Sequence, residues 1–273
     1  MKRLATLAGV IGAAGAAILL FAGAASPASR SIVESVPSRA LGSNMPVRVV
    51  LPKGYQPGGR RYPVVYFLHG LPAGADAYLG NNWVSTALDQ AGSAILVFPQ
   101  GAREKDPDPE YLNWGTNRNW ETFIAEELPQ WVDAHFDTIA DRSGRAIVGV
   151  SAGGYGAAVL GLHHLGTFSV IESWSGYFHP TDPTGTKALD RGPATSAHTM
   201  IAKLKTRPTF FAFYVGRDDT RFRAENVQFD EELTEAHVAH VFALYPGGHQ
   251  TSLWVAHAKG WLQMALRRLA PAS

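Results

Sequence analysis

Residues 145–159, RAIVGVSAGGYGAAV, decide the fold of this chain. The central five, Gly149–Gly153, match the pattern G-x-S-x-G, which by itself arises by chance in roughly one protein in six of this length. The surrounding residues make it informative, because an apolar run precedes it and a small-residue helix start follows it. A strand–turn–helix with a serine at the turn is typical of a nucleophile elbow. The stretch therefore predicts that Ser151 carries a reactive hydroxyl.

Apolar runs and helical patterns alternate on both sides of this stretch. Predicted strands are Val47–Leu51, Tyr62–Leu68, Ala94–Phe98, Ala146–Val150, Val170–Trp174, Thr209–Val215 and His240–Tyr245. Predicted helices are Trp83–Ala91, Trp120–Phe136, Gly154–His164, Asn226–Ala239 and Thr251–Leu269. Uninterrupted apolar strands that alternate with helices predict an α/β fold, with a mostly parallel central sheet and helices on both faces.

Three local features interrupt this alternation. Pro129 lies inside the second helical pattern and predicts a kink or a restart there. Two long irregular stretches, Gln100–Asn119 and Gly176–Arg207, are candidate walls of a binding cleft, because loops of this length in a domain usually carry function or disorder.

Composition excludes several classes of protein. The chain has 273 residues, of which 46% are hydrophobic and 17% charged, with a formal net charge of +1. These values predict one globular domain and argue against a nucleic-acid partner. Cysteine is absent, so there is no disulfide, no thiolate nucleophile and no thiolate metal site.

The first residues have the layout of an export signal. Lys2 and Arg3 precede an uncharged stretch that ends in small residues, so residues 1–28 are predicted to be a signal peptide, with an uncleaved membrane anchor as the alternative. Residues 29–44 are predicted to be a tether, and residues 45–273 the catalytic domain. The chain is thus expected to be secreted or extracytoplasmic, at the cell envelope.

A reactive serine needs a base and an orienting carboxylate. His249 lies in a glycine-containing loop directly after the last predicted strand, where it can reach over the sheet edge. Asp218 and Asp219 both follow the preceding strand, and their spacing does not separate them. In this type of fold the order along the chain is serine, acid, histidine, which these residues obey.

Acyl chemistry also needs donors for the developing oxyanion. The backbone N–H groups of Ala152 and Leu71 are the candidates, since Pro72 has no N–H. His69 either lines the cleft and contacts substrate or is a packed loop residue. Trp114 is a candidate substrate-binding residue. The aromatic side chains of this region either line a cleft or simply pack: Tyr111, Trp114 and Trp120.

The other histidines give no metal-binding pattern. His163 and His164 are neighbours on a helix and should point in different directions. His237 and His240 straddle a predicted helix end without an H-E-x-x-H pattern. No metal and no cofactor are predicted.

Taken together, these motifs resemble the esterase D branch of the α/β-hydrolases, and most closely its secreted mycolyltransferase, antigen 85-type group. The similarity rests on VYFLHGL at 65–71, on WETF at 120–123 with ELPQW at 127–131, and on the Ser151 and His249 regions. It covers roughly residues 45–269. It implies the α/β-hydrolase fold and favours Asp219 as the acid.

The resemblance also shows departures. This chain has His69 and Pro72 where the mycolyltransferases carry an acidic residue and an arginine for trehalose, and it has Asp in place of their Glu as the acid. It also lacks their cysteine pair.

The prediction is therefore a secreted serine carboxylesterase that hydrolyses a small-molecule or lipid ester through an acyl-enzyme. The alternative is an acyltransferase acting on an envelope sugar or glycolipid. A third hypothesis is a non-catalytic binding protein, against which the intact serine, histidine and acid argue. The oligomeric state stays open.

Overall fold

An eight-stranded sheet organises the computed structural model, which describes residues 29–181 and 192–273. The strands are β1 (Arg30–Ser38), β2 (Ser43–Leu51), β3 (Val64–Leu68), β4 (Ile95–Pro99), β5 (Arg145–Val150), β6 (Val170–Trp174), β7 (Phe210–Gly216) and β8 (Val241–Tyr245). Their order across the sheet is β1-β2-β4-β3-β5-β6-β7-β8. β1 and β2 pair antiparallel to each other, β2 pairs antiparallel to β4, and the remaining pairs are parallel.

Helices cover both faces of the sheet. They are α1 (Asn82–Ala91), α2 (Trp120–Thr122), α3 (Leu128–His135), α4 (Ala152–His163), α5 (Arg223–Glu235) and α6 (Thr251–Leu266). One core layer contains residues of α2 to α5, and the other contains residues of α1 and α6. Strands buried on both faces explain the continuous apolar runs in the sequence. The predicted α/β-hydrolase architecture is confirmed.

Residues 29–44 are not a tether, so that prediction was wrong. Arg30–Ser38 forms the edge strand β1, which a turn with Gly42 at φ 62° joins to β2. The carboxylate of Glu127 holds this turn, because it accepts hydrogen bonds from the Ser38 hydroxyl at 2.6 Å and from two backbone N–H groups at 3.1 Å. β1 alternates exposed and partly buried residues, and an edge strand with Ser, Glu and Pro gives only a weak sequence pattern.

Pro129 restarts a helix, as predicted. A π-helical turn at Phe123–Glu127 separates α2 from α3, and Pro129 lies in the first turn of α3. The helical hydrogen-bond pattern changes just before the proline, since the Leu128 N–H donates to Phe123 O in a π-helical turn.

His163 and His164 converge on one carboxylate, which corrects the expectation that they point apart. Glu121 Oε1 accepts hydrogen bonds from His163 Nδ1 at 2.8 Å and from His164 Nε2 at 2.9 Å. His164 lies just beyond the end of α4, where the backbone leaves the helical course. Burial alone would raise the pKa of Glu121, but the two histidines outweigh it and lower that pKa to about 2.

A second carboxyl lies in the centre of the sheet. Glu172 on β6 is fully buried, and the indole N–H of Trp174 donates to its Oε2 at 2.9 Å. Burial raises the pKa of Glu172 to about 8, although the hydrogen bond with Trp174 opposes that shift. Glu172 is therefore protonated in the folded protein at neutral pH.

Among the residues that the structure describes, no helix is both long enough and apolar enough to span a bilayer. The predicted signal peptide, residues 1–28, lies outside the described residues.

We expect Glu121→Gln to lower the free energy of unfolding near pH 7 by about 2 kcal/mol, because it removes the charge that two partly buried imidazoles contact. A carboxyl with a depressed folded-state pKa stabilises the protein above its unfolded-state pKa and loses that effect as the pH falls through its folded-state value. The difference between variant and wild type should therefore shrink as the pH falls from about 5 to about 2. Urea denaturation measures it.

Glu126→Gln is the matched control, since Glu126 is exposed on the neighbouring π-helical turn. It should leave stability within about 0.5 kcal/mol of wild type. A Glu121→Gln deficit that stays constant with pH would contradict the assigned role of the carboxylate.

Candidate active site

Ser151 lies at the turn between β5 and α4, at the carboxyl edge of the parallel strands. Its backbone has φ 56° and ψ −126°, a conformation that costs a non-glycine residue energy and is found mainly at functional sites. The Ser151 N–H donates to Trp174 O at 2.9 Å, which holds the turn against the end of β6. The side chain is partly exposed, so a substrate can reach it.

Two glycines allow this tight turn. A Cβ on Gly149 would lie 2.0 Å from Gly153 O, and a Cβ on Gly153 would lie 2.1 Å from Leu68 O. Real Cβ atoms do not approach oxygen this closely. The pattern G-x-S-x-G is thus required here because α4 begins in direct contact with the ends of β5 and β3.

The loops after β7 and β8 are joined through their backbones. Arg217 N donates to Tyr245 O at 2.7 Å, and Asp218 N donates to Gly247 O at 2.9 Å. A Cβ on Gly216 would lie 2.3 Å from Gly247 O, so glycine is needed for this approach. The two loops therefore bring an acid and a histidine to the same place.

Asp219, His249 and Ser151 form a continuous hydrogen-bonded series. His249 Nδ1 lies 2.9 Å from Asp219 Oδ2, and His249 Nε2 lies 3.0 Å from Ser151 Oγ. Asp218, the other candidate acid, is exposed and lies away from this series. The structure thus brings Asp219 and not Asp218 to His249, the choice that the family resemblance favoured.

The Asp219 carboxylate is buried and fully engaged. Its Oδ1 accepts the N–H groups of Arg221 at 3.0 Å and Phe222 at 3.1 Å, while Oδ2 faces His249. Burial alone would raise the pKa of Asp219, but the hydrogen bond and charge of His249, with the two backbone donors, lower it below its ordinary value. Asp219 is therefore ionised and keeps the Nδ1 proton of His249 directed towards it.

Two aromatic side chains, Phe222 and Trp254, enclose His249, and the sequence did not indicate either of them. The ring centroids of Phe222 and Trp254 each lie 5.2 Å from that of His249, at interplanar angles of 67° and 86°. The Trp254 indole donates to Ser175 Oγ at 2.9 Å, which fixes the ring in place. The only sequence signal for their role was proximity: Phe222 follows Asp219 by three residues, and Trp254 follows His249 by five. They restrict the imidazole to the orientation that faces Ser151.

The two predicted oxyanion donors adjoin Ser151. Ala152 N–H lies in the first turn of α4, where helix geometry provides no acceptor. A Cβ placed on Gly70 would lie 3.4 Å from Ser151 Cβ, so the loop that carries Leu71 passes next to the serine. Within the described residues the Leu71 N–H donates to no backbone oxygen. In the described part of the chain both N–H groups thus lack a backbone acceptor, and they remain the predicted oxyanion donors.

His69 is a packed loop residue, so its assignment as a substrate contact was wrong. It is only 4% exposed, and both ring nitrogens are occupied by backbone. Nδ1 donates to Gly70 O at 2.9 Å, and Nε2 accepts from Gly101 N at 2.9 Å. Burial lowers the pKa of His69 to about 4, so the ring stays neutral. His69 ties the loop of Leu71 to the end of β4.

The aromatic residues of the Gln100–Asn119 stretch, and Trp120 directly after it, serve mainly packing. Tyr111 is fully buried, and its hydroxyl donates to His69 O at 2.6 Å. Trp120 is fully buried, with its indole N–H on Asp106 at 2.9 Å. Trp114 is partly buried, with its indole N–H on Pro109 O at 2.7 Å. The stretch thereby supports the Leu71 loop, and Trp114 remains a predicted substrate contact.

The arrangement has one evident chemical capability. His249 can accept the Ser151 proton through Nε2 while Asp219 stabilises the resulting imidazolium. The N–H groups of Ala152 and Leu71 are the predicted donors for the negative charge that would develop if Ser151 attacked a carbonyl.

Comparison with known proteins agrees with this geometry. The family model described as "Putative esterase" matches residues 38–260. The chain belongs to the putative esterase family. This membership confirms the resemblance drawn from the sequence motifs, and it extends the matched region to the β1–β2 turn.

Three curated proteins to which the chain is similar are from mycobacteria. Esterase Rv1288 of Mycobacterium tuberculosis is 28% identical, over 77% of this chain and 53% of its own length. The MPT51 antigen of Mycobacterium leprae is 32% identical, over 65% of this chain and 56% of its own. Diacylglycerol acyltransferase/mycolyltransferase Ag85B of Mycolicibacterium smegmatis is 31% identical, over 54% of this chain and 45% of its own length. The chain thus spans about half the length of these relatives.

Solved structures show the same fold. A ferulic acid esterase superposes with a TM-score of 0.74 at 23% identity, covering 89% of this chain and 98% of the other. MPT51 of Mycobacterium tuberculosis superposes with a TM-score of 0.66 at 22% identity, covering 87% of this chain and 99% of the other.

We expect Gly149→Ala to destabilise the protein by more than about 2 kcal/mol, because its Cβ would collide with the backbone of α4. Gly260→Ala is the matched control. Gly260 is exposed within α6 with open space around its Cβ position, so alanine should stabilise the helix by about 0.5–1 kcal/mol. Thermal unfolding should show opposite shifts for the two variants. A Gly149→Ala protein with wild-type stability would refute the required close contact.

Proposed function

We propose that this esterase-family chain is a serine carboxylesterase that works through an acyl-enzyme. The proposal rests on one observation, the series in which His249 Nε2 lies 3.0 Å from Ser151 Oγ and His249 Nδ1 lies 2.9 Å from Asp219. Family membership supports a substrate of the ester class.

Acylation begins when His249 removes the Ser151 proton as Oγ attacks the ester carbonyl carbon. The new C–O bond pushes the carbonyl electrons onto oxygen, and the N–H groups of Leu71 and Ala152 stabilise that oxyanion. His249 then gives its proton to the leaving alcohol as the old C–O bond breaks. In deacylation, water repeats this sequence on the acyl-enzyme and frees Ser151.

The surroundings of His249 support its role as the base. Asp219 is ionised beneath it, and Phe222 and Trp254 limit its rotation, so the imidazole is oriented before the substrate arrives. A pure binding protein would have no need to bury an aspartate against a histidine that faces a strained serine.

A second candidate is acyl transfer to a sugar or glycolipid of the cell envelope. The 31% identity with a diacylglycerol acyltransferase/mycolyltransferase favours it. The acylation step is identical, and only the acceptor differs, since an alcohol replaces water. His69 and Pro72 occupy the positions at which the mycolyltransferases carry trehalose-binding charges, so hydrolysis is the primary proposal.

We also propose that the protein acts outside the cytoplasm. The argument rests on Lys2 and Arg3, the apolar stretch after them and the small residues that follow. A secreted enzyme would meet small-molecule and lipid esters of the envelope, with Trp114 as the predicted cleft contact.

Ser151→Ala should reduce hydrolysis of a p-nitrophenyl acyl ester by about 10⁴-fold or more, because no other group replaces the nucleophile. Steady-state kinetics with acyl chains of two to sixteen carbons give the measurement and the preferred chain length. Undiminished turnover in Ser151→Ala would overturn the proposal.

Asp219→Asn should lower kcat by about 10³–10⁴-fold, because an amide neither stabilises the imidazolium nor maintains its tautomer. Asp218→Asn is the matched control one residue away and should stay within about twofold of wild type. Equal losses in the two variants would mean that Asp219 is not the acid.

Adding trehalose or glycerol to the reaction should leave water as the main acceptor. Mass spectrometry of the products gives the ratio of free acid to acylated polyol. A majority of acylated polyol would favour the transferase candidate over hydrolysis.

A further inference from the structure

Three potential metal ligands converge beside α5, away from the Ser151 series. His179 follows β6, His198 lies in the 3-10 helix Ala197–Lys205, and Glu225 lies in the first turn of α5. One ligand atom from each lies within 4.8 Å of the others. These residues are far apart in sequence, which is why the sequence predicted no metal.

One carboxylate oxygen is the centre of the cluster. Glu225 Oε1 accepts three hydrogen bonds. The donors are His179 Nδ1, His198 Nε2 at 3.2 Å and the backbone N–H of Phe178 at 2.9 Å. Three donors on a single oxygen is a crowded arrangement for hydrogen bonding alone. It places two imidazole nitrogens and one carboxylate oxygen around a common point.

A fourth residue orients one of the histidines. Glu232, two turns further along α5, contacts His198 Nδ1 at 2.6 Å. Histidines that bind metal usually donate their other ring N–H to such a carboxylate, which fixes the tautomer and directs the free nitrogen to the ion. His198 has this arrangement, with Nε2 directed to the shared point.

The cluster is also accessible and suitably charged. The side chains of His179, His198 and Glu225 are 36%, 19% and 14% exposed, so an ion can enter from solvent. The carboxylates of Glu225 and Glu232 supply two negative charges, which balance a divalent cation. Two nitrogen ligands and one oxygen ligand suit Zn²⁺, with water completing a tetrahedron.

We propose that His179, His198 and Glu225 form a binding site for Zn²⁺ or a similar divalent transition metal. The ion would join three segments, the loop after β6, the 3-10 helix and α5. Its role would be structural, because the ligands are separate from Ser151. Glu225 follows Phe222 by one helical turn, so the site would also anchor the segment that packs against His249.

Isothermal titration of EDTA-treated, dialysed protein with ZnCl₂ tests the site. We expect one ion per chain, with affinity at least tenfold weaker in His198→Gln and in His179→Gln, and about tenfold weaker in Glu232→Gln. Saturating Zn²⁺ should raise the wild-type Tm by roughly 5 °C and leave the Tm of His198→Gln unchanged.

His240→Gln is the matched control. His240 contacts Asp230 of α5 at 2.8 Å, yet it lies outside the metal-ligand cluster. Its substitution should therefore leave zinc affinity unchanged. His179→Gln is the ligand variant expected to disturb folding least, because the His179 side chain is the most exposed of the three. Circular dichroism checks that each variant is folded. The absence of zinc binding would overturn the proposal. So would binding that survives both histidine variants and disappears in His249→Ala, which would place the ion at Ser151.

Discussion

The close contact between the start of α4 and the end of β3 is the constraint on which this molecule depends. Gly153 leaves no space for a side chain above Leu68 O, and Gly149 leaves none beneath Gly153 O. Because these backbones touch, Ser151 is forced into an unfavourable conformation and its hydroxyl is raised above the sheet edge. The same contact sets the Ala152 N–H beside the loop that carries Leu71. One steric requirement thus positions the serine and brings the Leu71 loop next to it.

The second half of the site is held by electrostatics and aromatic packing. Backbone hydrogen bonds join the loops after β7 and β8, so Asp219 and His249 arrive together. Burying a carboxylate is costly unless it is fully paired, and Asp219 satisfies this condition through His249 and two backbone N–H groups. Phe222 and Trp254 then exclude other orientations of the ring. The nucleophile is fixed by sterics, whereas the base is fixed by charge and packing.

Much of this was visible in the sequence. The seven apolar runs became β2 to β8 with ends within two residues of the prediction, except that β2 begins at Ser43 and not at Val47. Ser151, His249 and Asp219 met as the order along the chain required. The edge strand β1 escaped prediction because one-sided burial gives a weak pattern. His69 was misassigned because sequence does not reveal that both ring nitrogens meet backbone. Phe222, Trp254 and the His179 cluster escaped prediction because their contacts depend on tertiary packing between distant segments.

Glu172 sets an upper limit on the alkalinity that the fold tolerates. Its pKa of about 8 in the folded protein lies above its value in an unfolded chain, so the native state retains a proton that the unfolded state releases. Folding stability therefore declines as the pH rises from about 4.5 to 8. Above this range the folded protein holds Glu172 as a buried carboxylate on β6, between β5 and β7. A serine–histidine mechanism gains from alkaline conditions, since it needs a neutral imidazole. An activity profile at alkaline pH would then include this loss of folding stability as well as the titration of the catalytic groups.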